Sequence, residues 1–141
     1  MSPRNLAVAA LLAAVIVPAI ASADPSAPTG ETVTPVFEQA ISNIPGKSFA
    51  ALVVDYTPGG KSASHRHAAS AFIYAYVVSG AVRSQVDDGP ARIYQAGESW
   101  FEAPGSHHRV SEHASATEPA RLLALFVVDE DDRPLTTPDP D

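Results

Sequence analysis

From Ser48 to Tyr56 the chain reads "SFAALVVDY", an apolar run that stops at the turn signal "TPGG". Aromatic and β-branched residues dominate again in "FIYAYVVSG", which Gly80 closes. "AVRSQV" alternates apolar and polar residues and ends at "DDGP", a hairpin-type turn. "ARIYQAG" and "ESWFEAPG" each finish on glycine, "HHRVS" is a short strand, and "ARLLALFVVD" is a longer, buried one. "VFEQA", residues 36–40, fits either an edge strand or a helical turn. No stretch after residue 23 sustains a 3.6-residue apolar period, and no internal repeat is visible. Short strands with turn signals every 8–12 residues or so predict an all-β sandwich or barrel.

The two ends of the chain read differently. "MSPRN" gives a positive start, "LAVAALLAAVIVPAI" is an apolar run broken by Pro18, and "ASA" precedes Asp24. This is the pattern of a secretory signal peptide, residues 1–23, cut after Ala23. The run is too short and too interrupted for a permanent span of about 20 residues, although an uncleaved anchor is the alternative. The expected location is periplasmic or secreted, with no membrane attachment after cleavage. Residues 24–35 are rich in Pro, Ser and Thr and are expected to be flexible; residues 129–141 are expected to form a disordered acidic tail. The folded domain is then residues 36–128.

A chain of 141 residues suits one domain. Its net charge of −7 and the lack of a basic stripe exclude nucleic acid and anionic membrane surfaces as natural partners. The absence of cysteine excludes a disulfide framework, a thiolate nucleophile and a thiolate-bound metal. Any metal must be held by imidazole and oxygen.

The histidines point to such a site. All five lie in two clusters, "SHRHAAS" and "APGSHHRVSEH", each close to a glycine-proline turn. Alternate residues on a strand share a face, so His65 and His67 can converge on one ion. The second cluster must supply the third ligand. His107 and His108 are neighbours on a strand and point oppositely, so only one of them faces in. His113 is expected to cap the strand at the surface.

"PGGKSASHRHAASAFIYAYVVSG" followed by "GESWFEAPGSHHRV" resembles the two motifs of the cupin superfamily. Gly59 or Gly60, His65, His67 and Gly80 match the first motif; Gly97, Pro104, Gly105 and His108 match the second. The resemblance runs from about Gly46 to Val128, and more narrowly the chain looks like a small exported single-domain bacterial cupin. It implies a six-stranded jelly-roll β-barrel with a metal inside, held by His65, His67 and His108, and a homodimer paired through a barrel face. His107 then lies outward or at the mouth, where it can move a proton. The family's glutamate falls near Ala71, Phe72 or Ile73, none of which binds metal. Two explanations follow: a neutral three-histidine site, which leaves a divalent ion its whole +2 charge and a preference for anionic oxygen ligands, or a decaying metal site in a barrel used for something else. Iron, zinc, manganese, copper and nickel all suit such ligands.

Accessory candidates follow from strand parity. Glu98, Trp100 and Glu102 share a face, and Glu102 either substitutes for the missing carboxylate or sits exposed on a barrel edge. Tyr74 and Tyr76 form one pair and Arg83 and Gln85 another; either pair is a candidate lining for the pocket. Phe72, Trp100, Phe101 and Phe126 are expected in the core. Two functions remain open. One is an exported metal-dependent oxygenase or oxidoreductase acting on a small anionic or phenolic molecule. The other is a non-catalytic module, a sensor or scavenger, binding a small molecule or metal.

Overall fold

The computed structural model describes residues 30–140. The expected signal peptide and its cut after Ala23 lie outside the described residues. Among the described residues there is no helix, and ten strands follow in order: β1 (Glu31–Ala40), β2 (Lys47–Tyr56), β3 (His65–His67), β4 (Phe72–Ser79), β5 (Ala81–Val86), β6 (Arg92–Gln95), β7 (Ser99–Glu102), β8 (His107–His113), β9 (Ala120–Asp129) and β10 (Thr136–Pro138). They form two five-stranded antiparallel sheets, ordered β1-β2-β9-β4-β7 and β10-β3-β8-β5-β6. The fold is an all-β jelly roll, a sandwich of two facing sheets with more strands than the six expected.

Both supposedly unstructured flanks join the sheets. Residues 31–35, expected to be flexible, are the first half of β1. "VFEQA" is edge strand and not a helical turn. Pro35 is tolerated there because an edge strand does not need every N–H. At the other end Asp129 closes β9, and Thr136 to Pro138 pair with His67 to His65. The acidic tail is held because Asp132 accepts the backbone N–H of Ser70 and Asp139 accepts the hydroxyl of Ser64.

The core is built from small apolar side chains. On β4 the inward residues are Ile73, Ala75 and Val77, and the outward ones are Phe72, Tyr74, Tyr76 and Val78. Large aromatics therefore face out, and Phe72 stacks on Phe101 at 5.8 Å between ring centres on the outer surface. This corrects the expectation that Phe72 and Phe101 are core; Trp100 and Phe126 are buried as expected. Alanines at 75 and 124 line the inside, so the sandwich is not filled to its centre. Gly80 lets β9 approach the β4–β5 turn: its φ is +70°, and a Cβ there would sit 2.4 Å from the Pro119 carbonyl oxygen.

Candidate metal centre

Between the sheets lies a cavity of about 350 Å³. His65 and His67 on β3 and His108 on β8 meet at one end of it, and each offers a nitrogen within 4.8 Å of the others. Register explains the convergence: His65 lies directly across from His108, and alternation turns His67 to the same side. The ring centres of His65 are 4.8 Å from those of His67 and 5.0 Å from those of His108.

The second nitrogen of each ring is engaged elsewhere, which fixes the rings. His65 Nδ1 is 2.8 Å from the Ala63 carbonyl, His67 Nδ1 is 3.3 Å from the Leu135 carbonyl, and His108 Nε2 is 2.9 Å from Ser84 Oγ. Burial lowers the pKa of His65, and lowers that of His108 to about 4, so both rings are neutral near pH 7. Neutral imidazole is the form that ligates metal.

Glu102 is not an exposed edge carboxylate. It is 2% exposed and faces the cluster from β7. Trp100 Nε1 donates to its Oε1 at 3.2 Å. His108 Nδ1 is 3.2 Å from Oε1 and His67 Nε2 is 3.2 Å from Oε2, but the second contact lacks hydrogen-bond alignment. His67 Nε2 and Glu102 Oε2 are thus both buried without a partner. Burial alone raises the pKa of this carboxyl, yet the His67 and His108 imidazoles outweigh it and hold the value below the usual carboxylate range. Glu102 and His67 thus turn unpartnered polar atoms towards the same buried space as His65 and His108. Such a donor set fits a divalent cation.

The three expected histidines do converge, and Glu102 lies beside them, 3.2 Å from His67 and from His108. Ile73, one of the family's glutamate positions, faces in and pairs directly with Glu102 across the β4–β7 ladder. A carboxylate thus reaches the site from β7, the strand beside β4. Phe72, reached by counting from His67, points to solvent.

Other candidates do not join the site. Tyr74 and Tyr76 lie on the outer face. Arg83 pairs with Glu112 at 2.8 Å on the surface, and Gln85 donates to the Gly89 carbonyl at 2.9 Å. His107 turns away from His108 towards Ser64 and Asp139, 3.0 Å and 2.6 Å from its Nε2. His113 is buried and not at the surface.

The far end of the cavity holds polar residues that sequence patterns did not mark. Tyr56 Oη is 2.7 Å from both Ser62 Oγ and Ser111 Oγ, and Ser62 donates to Glu31. Ser111 escaped notice because β8 carries a bulge. Val110 pairs with Gln85 and His108 with Val86, leaving Arg109 as the extra residue. His108 and Ser111 therefore face the same way although they are three positions apart. Glu31 lay in the segment read as flexible.

A jelly roll with an interior histidine cluster defines a class of metal-site sandwich proteins. The family model described as "Cupin domain" matches residues 52–127, and the chain belongs to that family. No curated protein matches it in sequence. Among solved structures it is similar to the cupin domain of Cnp3 from Schizosaccharomyces pombe, at 15% identity and a TM-score of 0.57, covering 70% of this chain and 61% of that one. It is also similar to a recombinant oxalate oxidase in complex with glycolate, at 20% identity and TM-score 0.60, covering 82% of this chain and 58% of that one. A third is an uncharacterized protein with a double-stranded beta-helix domain from Klebsiella pneumoniae, at 18% identity and TM-score 0.59, covering 84% and 90%. The chain thus spans only about three fifths of the first two. At these identities the likeness shows the fold.

Proposed function

We propose that this cupin is an exported metal-dependent oxidoreductase, an oxygenase acting on a small anionic or phenolic molecule. One observation carries the reading. Three imidazoles and a buried, half-partnered carboxylate gather at one end of a cavity whose middle wall is apolar. His65, His67 and His108 would hold a divalent transition metal, with Glu102 as the accompanying carboxylate. Bound there, the metal supplies Lewis-acid or one-electron chemistry. Glu102 lowers the net charge of the loaded site to +1 and can take a proton at Oε2. Trp100 fixes the other oxygen. Leu52, Val54, Ala75, Leu122 and Ala124 exclude water along the cavity wall. The similarity to an oxalate oxidase seen with glycolate supports a small oxyanion as the kind of molecule that enters.

The test is elemental analysis of the protein from its native compartment, followed by oxygen uptake with a panel of small phenols and carboxylates. Stoichiometric iron, manganese or copper with uptake is expected. Metal-free protein that also refuses added metal overturns the reading and leaves a binding module. Export is part of the proposal: a mature chain beginning at Asp24 is expected, and mass spectrometry of the exported protein checks it. Pairing of two copies is also part of it, supported by Phe72, Tyr74, Tyr76 and Phe101 side by side on one outer face; sedimentation of Phe101→Glu, expected monomeric, checks it.

A further inference from the structure

The polar chain at the far end of the cavity has a direction. A carboxylate only accepts, so Ser62 donates to Glu31. Ser62 has no second hydrogen and must accept from Tyr56, 2.7 Å away. Tyr56 has then spent its single hydrogen and must accept from Ser111, also 2.7 Å away. Burial pushes the phenol up to about 12, so it keeps the hydrogen that the chain requires. Ser111 is 4% exposed and lines the cavity with its donor already used. What it still offers inward is a lone pair.

The metal end differs. It presents an ion-binding cluster on the same strand, where the bulge leaves His108 and Ser111 opposite Val86 and Ser84, two steps of β5 or roughly 7 Å apart at about 3.3 Å per residue. Between the two ends the wall is apolar.

We propose that Ser111, oriented by Tyr56, is a specificity residue that selects ligands carrying an O–H or N–H donor opposite their metal-binding oxygen. The inference rests on the preceding reading for the metal end only. The substrate class is a small, mainly apolar molecule with an anionic oxygen at one end and a hydroxyl or amine at the other. A metal–oxygen bond of about 2 Å and a hydrogen bond of about 2.8 Å take up much of that span, so one ring or a shorter frame is the most the ligand can place between them.

Calorimetric titration of the folded chain with 4-hydroxybenzoate, 4-aminobenzoate and 4-fluorobenzoate, with and without saturating zinc, tests this. The hydroxyl and amine probes are expected to bind roughly three- to tenfold more tightly than the fluoro probe. Ser111→Ala should bring that ratio to one without changing zinc affinity. Tyr56→Phe frees the Ser111 hydrogen, so 4-cyanobenzoate, which ends in an acceptor, should gain affinity over wild type. Equal affinities in the wild type, a preference that survives Ser111→Ala, or no binding of any probe overturns the proposal. A hydroxyl preference that persists unchanged without zinc keeps it and removes the metal reading instead.

Discussion

The two ends of the cavity treat their polar groups in opposite ways. At the Tyr56 end, four side chains satisfy one another in a chain that runs out to Glu31. At the Glu102 end, His67 Nε2 and Glu102 Oε2 are buried 3.2 Å apart without a hydrogen bond. An unmade buried hydrogen bond costs about 1–3 kcal/mol, and more for a charged group. The first end therefore stabilises the empty fold and the second opposes it. His113 Nε2 is orphaned as well, so what sets the Glu102 end apart is that its unpartnered atoms adjoin three converging imidazoles.

The strongest way to break the contrast is His67→Ala. Zinc affinity should fall by more than about 100-fold, beyond the 10- to 100-fold usual for an outer partner of a ligand. Circular dichroism should stay native, because the barrel is held by apolar strands. Unchanged zinc affinity in a folded variant would show that the His-x-His pair is no site. Glu102→Gln comes next. It keeps an acceptor for Trp100 but removes the charge. Zinc affinity should drop about 10- to 100-fold, while thermal denaturation of the metal-free protein should show no loss of stability, since a buried charge has gone.

Acidification probes the same end without mutation. His108 titrates at about 4 in the fold against its ordinary 6.5. Between those values the unfolded chain binds a proton that the folded chain refuses, so stability rises with pH through that window and falls on acidification. Going from pH 7 to pH 5, this group should cost the metal-free protein roughly 2 kcal/mol. His65, also lowered, acts in the same sense. Chemical denaturation at the two pH values measures it; equal stability would mean the rings are not buried neutral. The smallest effect belongs to the other end. Tyr56→Phe should destabilise the fold by about 1–2 kcal/mol in the same assay and leave zinc affinity within a factor of about three.

Much of this was legible in the sequence. The β class followed from short apolar runs between glycine turns, and the convergence of His65, His67 and His108 followed from strand parity and motif spacing. Three physical facts hid the rest. A cavity needs small residues inside, so Phe72, Tyr74 and Tyr76, the conspicuous side chains of β4, face out while Ile73 and Ala75 face in. Glu102 reached the site through cross-strand register with Ile73, which no single-strand pattern records. The bulge at Arg109 broke the parity that would have linked His108 to Ser111. Composition likewise misjudged the flanks, because pairing with β2 and β3 supplies order that Pro- and Asp-rich segments lack by themselves.

β3 is only three residues long, yet it carries two of the three clustered imidazoles. Its neighbours in the sheet are β8 and β10, both distant along the chain. Closing such loops loses entropy before any contact returns it, so pairings of this kind form late and slow the folding of β-sandwiches. No local fragment containing "SHRH" can present the cluster. An ion therefore meets its ligands only after the rate-limiting barrier has been crossed, and it acts on the lifetime of the native state. Adding zinc should slow the unfolding limb of a chevron plot and leave the refolding limb where it was.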